Sequence, residues 1–562
     1  MRTRMGVCFV LAALLAVGFL GFRHSEATPQ LMTAAADSVP NELLVKFKPA
    51  TAETAVIQAI EAVQGAIIAH RGEVVSAGLW AENKSEYRSF LGDPDLFHVK
   101  LPPILRTEKA IAELLANPNV EFAEKNYVSH IETIPNDPEF SYQWGLHNTG
   151  QSGGTADADI DAPEAWEIFT GSSDITIAVI DTGIDYGHTD LQSNIWTNPG
   201  EIGGGKETDG IDNDGNGKID DWHGWDFVNS DNNPMDDNSH GTHVAGIAGA
   251  SGNNETNVAG VCWNVKLMPV KAYDAYGYGN TARDIAAIDY AISLDAQVIN
   301  ASWGSYSYSA ALYQAIERAM TSGILFVAAA GNDSYNNNTT PLYPSSYDID
   351  NIISVLATTD TDTLSAFSNY GSYSVDLGAP GGEDATQNGY NILSTIPNNQ
   401  TSKKAGTSMA TPFVSGGSAL VLGQRPTIDW WQAKTIILKS VDTKSALVGK
   451  ARTHGRLNVL NVLNYSTPVL PDAPTDLEGA AFENGDFYDI QLTWTDNSNN
   501  ESGFNIYLKS GPGVFNQLGS TGPNVTTFWL TEVGSGYWYF YVRAFTADGE
   551  STKTQTVSVK AY

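Results

Sequence analysis

The segment ITIAVIDTGID (175–185) begins as an apolar strand pattern, which is followed by Asp181 and, four residues later, by Asp185. Three later segments share its apolar character: AQVINASW (296–303), ILFVAAAGN (324–332) and NIISVLATT (351–359). Helical patterns such as TARDIAAIDYAISL lie between them. Strands that are apolar on both faces, with helical crossovers, predict a parallel sheet covered by helices on both sides. We assign this α/β domain to residues 134–465. In such sheets functional residues gather where the carboxyl ends of the strands emerge.

Two smaller units flank this domain. Residues 41–130 show the pattern strand–helix–strand–strand–helix–strand, which predicts a ferredoxin-like α+β fold. A linker at 466–472 precedes residues 473–562, where strong alternation and turn signals predict a β-sandwich. Its segments IQLTWTDNSNNESGFNIY and YFYVRAFTADGES resemble the fibronectin type III fold. That resemblance makes Trp494 the core tryptophan and puts Trp538 where a corner tyrosine usually stands.

The first residues have the composition of an export signal. Arg2 and Arg4 precede an apolar run from Met5 to Phe22, which predicts a signal peptide over residues 1–27 and a secreted protein. The alternative is an uncleaved membrane anchor. Cys8 lies in this segment, so after its removal Cys262 is left alone and no internal disulfide can form. Bound metal ions are the natural substitute for an exported protein.

The charge of the chain limits its partners. Sixty-four acidic residues against 31 basic ones give a formal net charge of −33. Such a surface repels nucleic acid and anionic membranes, so neither is expected as a partner. We expect a soluble monomer once the signal is removed.

Three local motifs in the middle domain carry chemistry. Asp181 ends the strand in AVIDTGID, His240 opens NSHGTHVAGIAGA, and Ser408 lies in AGTSMATPFVSG. A serine hydroxyl is a weak nucleophile and needs an imidazole to take its proton. A carboxylate must hold that imidazole in the right tautomer. Ser408 at a helix N-terminus also has free N–H groups nearby, suited to an oxyanion, and the amide of Asn332 can add a further donor.

Each motif alone has a simpler interpretation. A strand-terminal Asp is commonly an Asx turn or a helix cap, and Gly-Thr-Ser is commonly a turn. HGTH lacks the Glu and the histidine spacing of zinc proteases. Together, in the order Asp, His, Ser, the motifs match the order found in subtilisin rather than in chymotrypsin or the α/β-hydrolases.

The middle domain therefore resembles the subtilase family. The resemblance implies that Asp181 orients His240, that His240 is the general base and then acid, and that Ser408 is the nucleophile. Asn332 and the Ser408 N–H would form the oxyanion hole, and His243 would be structural. The substrate groove that the resemblance implies is lined by Ser302, Trp303, Gly304, Ala329, Ala330 and Gly331, with the peptide added as a strand.

The same resemblance gives the flanking N-terminal unit a role. Residues 41–130 would be an inhibitory prosegment, acting as an intramolecular inhibitor and removed by self-cleavage between Tyr127 and Pro135. The alternative is a permanent N-terminal domain. Protein and peptide substrates are the expected partners, and no organic cofactor is expected.

A first calcium site follows from the spacing of DNDGNGKIDD (212–221). Oxygen ligands at alternate positions, with Gly217 at the sixth, are typical of an EF-hand-type loop. The predicted ligands are Asp212, Asp214, Asn216, Lys218 and Asp220. His223 replaces the final Glu, so Asp221 or another residue must complete the shell. The alternative is an acidic Asx-Gly turn.

A second calcium site is implied only by the resemblance. Its residues would be Asp137, Asp190, Asn254, Thr256 and Val258. An ion bound there would stabilise the native state alone.

Two other functions stay open at this point. One is a secreted adhesion or scaffold protein with an inactive protease domain, which loss of a triad member would favour. The other is a processing protease of narrow specificity, because groove depth depends on loop geometry. The leading interpretation is a secreted endopeptidase that acts on extended or unfolded protein.

Overall fold

The computed structural model describes residues 38–68, 74–76, 93, 95–102, 107–127, 134–383, 391–510 and 515–562. The predicted signal peptide lies outside these ranges, as do residues 128–133 of the predicted cleavage segment. In the described ranges, every helix is too short or too polar to cross a membrane.

The N-terminal unit has the predicted ferredoxin-like fold. Its strands form an antiparallel sheet in the order β3-β2-β4-β1-β5, so the order β5-β1-β4-β2 is extended by a short hairpin strand. Helices α1 and α2 contribute Ile60 and Leu114 to its core. The elements are β1 (Ser38–Phe47), α1 (Glu53–Ala62), β2 (Ala66–Ile68), β3 (Val74–Ser76), β4 (Leu96–Lys100), α2 (Thr107–Leu115) and β5 (Val120–Tyr127).

The middle domain is built on a mostly parallel sheet, as predicted. The described strands follow the order β15-β16-β12-β11-β10-β9-β6-β8-β7, and only the β15–β16 pair at the edge is antiparallel. Its elements, in chain order, are α3 (Ala162–Trp166), β6 (Gly171–Asp181), β7 (Trp225–Asp226), α4 (His240–Gly249), β8 (Asn264–Lys271), α5 (Thr281–Ser293), β9 (Val298–Ala301), α6 (Ala310–Thr321), β10 (Leu325–Ala329), β11 (Ile352–Thr358), β12 (Leu377–Pro380), β13 (Ile392–Ile396), β14 (Gln400–Lys404), α7 (Thr407–Gln424), α8 (Trp430–Lys439), β15 (Asp442–Thr443), β16 (Gly455–Arg456) and α9 (Val459–Asn464).

Alternate residues of one strand face two different cores. Ile177 and Val179 of β6 pack with α4, α7 and α8, whereas Ala178 and Ile180 pack with α5 and α6. Both faces of the strand are therefore buried, which explains its unbroken apolar sequence. Because helices cover both faces of the sheet, polar groups can meet only at the ends of its strands.

The C-terminal unit is a β-sandwich of two antiparallel sheets. The sheets are β17-β18-β21 and β20-β19-β22-β23, and Trp494 lies in the core between them. Trp538 donates its indole N–H to Gly534 O at 3.2 Å, so it makes the backward bond that a corner tyrosine would make. The strands are β17 (Thr475–Asn484), β18 (Phe487–Thr495), β19 (Gly503–Ser510), β20 (Asn516–Thr521), β21 (Thr527–Val533), β22 (Gly536–Phe545) and β23 (Val557–Ala561).

The sandwich docks against the middle domain through a buried ion pair. Arg543 on β22 donates to the Asp350 carboxylate at 2.5 Å, and their side chains are 9% and 6% exposed. The guanidinium lies 5.2 Å from the ring centre of Trp431 on α8. Trp431 in turn donates its indole N–H to Glu550 O at 2.7 Å. Burial alone would raise the pKa of Asp350, but the charges of Arg543 and Lys553 outweigh it and hold that pKa at about 2.

Candidate active site

Asp181 and His240 meet where β6 ends and α4 begins. His240 Nδ1 lies 2.8 Å from Asp181 Oδ1 and 3.0 Å from Oδ2. The Thr182 N–H donates to Asp181 Oδ1 at 2.7 Å and fixes the carboxylate. The Asp181 side chain is 3% exposed, while that of His240 is 28% exposed. One ring nitrogen is thus anchored inside, and the imidazole still reaches the surface.

A glycine permits this close approach. A Cβ at Gly241 would lie 2.1 Å from Gly183 O and 3.1 Å from Asp181 Cβ, so any side chain would push α4 away from the end of β6. The Gly241 N–H also donates to Thr182 Oγ1 at 2.9 Å. The small residues of the HGTH motif therefore set the distance between the imidazole and the carboxylate.

The electrostatics of His240 favour its charged form. Burial is the largest single effect and opposes the charge, but Asp181 attracts it and accepts its hydrogen bond, so the pKa of His240 is raised above its ordinary value. Lys404 works in the opposite direction through its positive charge. The Lys404 ammonium is held nearby by Ser239, donating to its carbonyl at 3.1 Å and its hydroxyl at 2.9 Å.

Ser408 lies in the first turn of α7. Its hydroxyl donates to Ser302 O at 3.0 Å, and Ser302 Oγ donates back to Ser408 O at 2.9 Å. No hydrogen bond joins Ser408 to His240 in the described part of the chain, which is common before substrate binds. The Ser408 N–H has no acceptor among the described residues, as expected in the first turn of a helix.

The amide of Asn332 points toward the same space. Its Oδ1 accepts from both the N–H and the hydroxyl of Thr407, at 2.8 and 2.9 Å, which leaves the NH₂ group for another acceptor. A Cβ built on Gly406 would lie 3.6 Å from Ser408 N and 3.7 Å from Asn332 Nδ2. Both donors therefore lie within 4 Å of the same point beside Gly406.

The two predicted groove segments differ in how their main chain is used. The Ala330 N–H donates to Val355 O at 2.9 Å, and the Gly331 N–H donates to Thr407 Oγ1 at 3.2 Å. Their carbonyls accept from Asn337 and Asn369. Among the described residues, the main-chain groups of Trp303 and Gly304 make no such bonds. Residues 302–304 can accept an added strand, whereas residues 329–331 can serve only as a wall.

His243 lies in the same motif but has a structural environment. It is fully buried, and its Nε2 lies 3.0 Å from Ser402 O and 3.1 Å from Ile392 O. Burial lowers its pKa to about 3, so the ring is neutral. It connects α4 to the β13–β14 hairpin.

Comparison with known proteins agrees with this arrangement. The profile of the subtilase family matches residues 172–465. The chain belongs to the subtilase family. It is 37% identical over 413 residues to a thermophilic serine proteinase of Bacillus sp. (strain AK1), covering 72% of this chain and 88% of that protein.

Two further proteins are similar to more than half of the chain. Thermitase of Thermoactinomyces vulgaris is 35% identical over 332 residues, which is 59% of this chain and 99% of thermitase. A solved protease of Pseudoalteromonas arctica PAMC 21717 is 26% identical, with a TM-score of 0.47 over 58% of this chain and 98% of that chain. This subtilase is accordingly a serine endopeptidase.

The predicted calcium loop of this subtilase is assembled around a different set of acids. Oxygens of Glu201, Asp214 and Asp221 lie within 4.8 Å of one another. Glu201 is fully buried, and its Oε2 has no hydrogen-bond partner among the described residues. Burial raises the pKa of Asp221, although Tyr290, Asn216 and Asn198 donate to it. Three carboxylates brought together in this way fit a hard divalent cation.

The other predicted ligands of the loop have separate roles in the structure. Asp212 accepts from the N–H groups of residues 215, 216 and 217, and Asp220 accepts from the Gly210 N–H at 3.0 Å. The Lys218 ammonium lies 5.0 Å from the ring centre of Trp225. The Asn216 amide donates to Asp214 and Asp221, both at 3.0 Å. Of the predicted set, Asp214 joins the cluster and Asn216 borders it.

Sequence reasoning missed Glu201. It precedes the loop and belongs to no repeating pattern, and it reaches the cluster by accepting from the Asn213 N–H and the Asp214 N–H. One signal was available, because His223 at the last position left the shell without its usual acid.

The second predicted metal site is brought together in the structure. Asp137 and Asp190 are 4% and 0% exposed, and within the described part of the chain Asp137 Oδ1 has no hydrogen-bond partner. Burial, reinforced by the charge of Asp137, raises the pKa of Asp190 to about 6. Asp190 accepts from the Asn254 amide at 3.2 Å and from the Val258 N–H at 3.1 Å. Thr256 belongs to the same turn, since its N–H donates to Asn254 Oδ1 at 2.8 Å.

Proposed function

We propose that this subtilase is a secreted, calcium-stabilised endopeptidase made as a self-inhibited precursor, with Asp181, His240 and Ser408 as its catalytic triad. The observation that carries the proposal is the hydrogen bond between Asp181 and His240, since a carboxylate that holds a histidine in this way prepares it to act as the base for a serine. Ser408 lies in the first turn of α7, and among the described residues neither its N–H nor the Asn332 NH₂ group has an acceptor. Extended or unfolded proteins are the proposed substrates, since residues 302–304 have main-chain groups available for strand addition.

In the first step Ser408 Oγ leaves Ser302 O and turns to His240 Nε2. His240 takes the hydroxyl proton as Oγ bonds to the carbonyl carbon, and Asp181 stabilises the imidazolium. The imidazolium then gives its proton to the leaving amine while the C–N bond breaks. A water molecule, deprotonated by the same His240, releases the acyl group and restores the serine.

The negative oxygen formed in each step needs donors that are already in place. Asn332 Nδ2 and the Ser408 N–H are proposed to supply them. Thr407 holds the oxygen end of the Asn332 amide with two hydrogen bonds, so the NH₂ end does not have to reorient during the reaction. Loss of one such donor costs about 10²–10³ in kcat, a magnitude measured on subtilisin itself.

Calcium is proposed to occupy both acidic sites. Glu201, Asp214 and Asp221 would hold one ion, and Asp137, Asp190 and Asn254 with the carbonyls of Thr256 and Val258 would hold the other. The fit rests on buried, unpartnered oxygens of Glu201 and Asp137, since buried carboxylates require a cation or a proton. The ions would supply charge neutralisation and cross-linking of loops, not chemistry on the substrate.

The two flanking units are proposed to have roles outside the catalytic step. The N-terminal unit, 41–130, would be the inhibitory prosegment, removed after export directed by residues 1–27. The ferredoxin-like fold and the family membership support this role. The sandwich is proposed to be a fibronectin type III domain, supported by its strands of three and four per sheet and by Trp494 in its core.

The test is a mass measurement before and after an organofluorophosphate, mapped by peptide, alongside casein hydrolysis. A single adduct on Ser408 with loss of hydrolysis is expected. Ser408→Ala should take no adduct and should leave the N-terminal unit attached. An unlabelled Ser408 in protein already freed of residues 41–130 would contradict the proposed triad and favour an inactive scaffold.

A further inference from the structure

Two glycines of the predicted groove face each other across one side chain. A Cβ at Gly304 would lie 2.7 Å from Leu342 Cδ2, and a Cβ at Gly331 would lie 3.0 Å from the same atom. Leu342 is 6% exposed. Its terminal methyl group therefore occupies the space between the segment that can accept a strand and the segment that forms the wall.

The position of Leu342 is fixed by its neighbours. The Ser305 N–H donates to Tyr343 O at 2.7 Å, and the Tyr343 N–H donates to Ser305 O at 2.8 Å. These two bonds tie the chain that carries Leu342 to the end of the segment that carries Gly304. The backbone beside Leu342 therefore cannot move away from Gly304 without breaking this pairing.

The other large side chain of the groove points elsewhere. Trp303 donates its indole N–H to Ile180 O at 3.0 Å and packs with Phe326 at a ring distance of 6.4 Å. It is partly buried and packs against the core between the sheet and helices α5 and α6. Neighbouring residues of an extended segment alternate in direction, so Gly304 presents no side chain to the groove and Trp303 leaves it.

The far wall is a polar network with its partners already satisfied. Tyr306 donates its hydroxyl to Asp333 Oδ2 at 2.6 Å and accepts from the Asn369 amide at 3.1 Å. Asn369 Oδ1 accepts from the Asp333 N–H at 3.0 Å. Asp333 is therefore bound to Tyr306 at the rim and is not the floor of the pocket.

We propose that Leu342 closes the floor of the pocket for the residue before the scissile bond, so that this subtilase prefers Gly, Ala or Ser there. The inference rests on the proposed function, because it assigns the pocket to the acyl side of the bond cut by Ser408. A phenylalanine or leucine side chain would have to displace Leu342, whereas an alanine methyl group would rest on it. A change of one methylene in such a pocket alters kcat/KM by about 10–200-fold.

The test uses chromogenic peptides of the type Ala-Ala-Pro-X, with X as Ala, Leu, Phe or Lys, on the mature enzyme. The wild type should favour Ala over Phe by at least about tenfold in kcat/KM. Leu342→Ala should raise kcat/KM for Phe by at least about tenfold and leave the value for Ala within about threefold. Leu342→Val should lie between the two. All values are expressed per active site titrated with the fluorophosphate, which corrects for any misfolded fraction.

Leu312→Ala is the matched control, because Leu312 on α6 is similarly buried, at 5% exposure, and is not among the nearest atoms that a Cβ at Gly304 or Gly331 would meet. It should leave the ratio of Phe to Ala unchanged. The inference fails if the wild type cuts after Phe as readily as after Ala, or if Leu342→Ala shifts the ratio no more than Leu312→Ala. Absence of all hydrolysis together with an unlabelled Ser408 would instead count against the proposed function.

Discussion

Asp350 and Asp190 are both buried carboxylates, but their surroundings differ. Asp350 faces the guanidinium of Arg543, and its pKa is held at about 2. Asp190 faces another acid, Asp137, and its pKa is raised to about 6. The chain therefore supplies its own cation to Asp350 at the sandwich interface, whereas Asp137 and Asp190 form no ion pair among the described residues. One contact is complete within the polypeptide, and the other leaves room for the cation proposed above.

The largest expected effect comes from removing the internal cation. Arg543→Met should destabilise the folded protein by about 3–5 kcal/mol, because Asp350 then remains buried without a partner. The measurement is thermal or denaturant unfolding of the Ser408→Ala protein, which cannot digest itself. Adding Asp350→Leu should recover much of the loss, since no lone charge is left. Lys560→Met, at an exposed position on β23, is the control and should change little. Equal effects of Arg543→Met and Lys560→Met would contradict this interpretation of the interface.

The next effect in size is calcium removal. At a calcium concentration of about 100 Kd, each ion adds about 2.7 kcal/mol to the free energy of unfolding. EGTA should therefore lower the Tm, and excess calcium should restore it. The penalty of Arg543→Met should be the same in calcium and in EGTA, because distant sites add independently. An unchanged Tm with EGTA would show that the acidic sites do not hold calcium.

A smaller effect should separate one metal site from the other. Glu201→Gln should lower the free energy of unfolding by about 2.7 kcal/mol in calcium and by almost nothing in EGTA, because Glu201 Oε2 adds stability only as a ligand of a bound ion. Glu501→Gln is the matched control, since Glu501 is also buried and accepts a backbone N–H, from Asn524, at 3.0 Å. A calcium-independent loss for Glu201→Gln would mean that Glu201 serves packing alone.

The smallest effect concerns a third buried carboxylate, Asp181, and the pKa of its hydrogen-bond partner, His240. Because neutral His240 is the proposed base, kcat/KM should fall as the pH drops through the pKa of His240, which lies above its ordinary value. Lys404→Met removes a nearby positive charge, so the pKa of His240 should rise and the acid limb should move to higher pH by a fraction of a unit. The pH profile of kcat/KM gives the answer, and an acid limb that moves to lower pH or stays fixed would show that Lys404 does not act on His240.

The sequence was most informative where one motif contained the whole signal. The ends of β6 and β10 and the starts of α4 and α7 could be read locally, so Asp181, Asn332, His240 and Ser408 were all predicted from local motifs. Of these residues, the structure joins Asp181 to His240 by a hydrogen bond. The sheet was predictable for the same reason, because burial on both faces leaves an unbroken apolar run.

Features made by distant segments were not predictable. Leu342 lies beyond β10 and meets Gly304 and Gly331 only through the fold. Arg543 and Asp350 are 193 residues apart. Glu201 follows no spacing rule of the calcium loop. In each case the residue type is ordinary for its segment, and its role arises from tertiary approach.

The docked sandwich has a consequence for how the enzyme responds to proteolytic damage. A nick in the linker at 466–472 would cut the only covalent connection, but Trp431, Asp350 and their partners would still hold the two pieces together. The nicked protein would behave as one species under native conditions, and its two fragments would separate only on a denaturing gel. The cut would become visible in native samples only later, when dilution lets the smaller fragment dissociate.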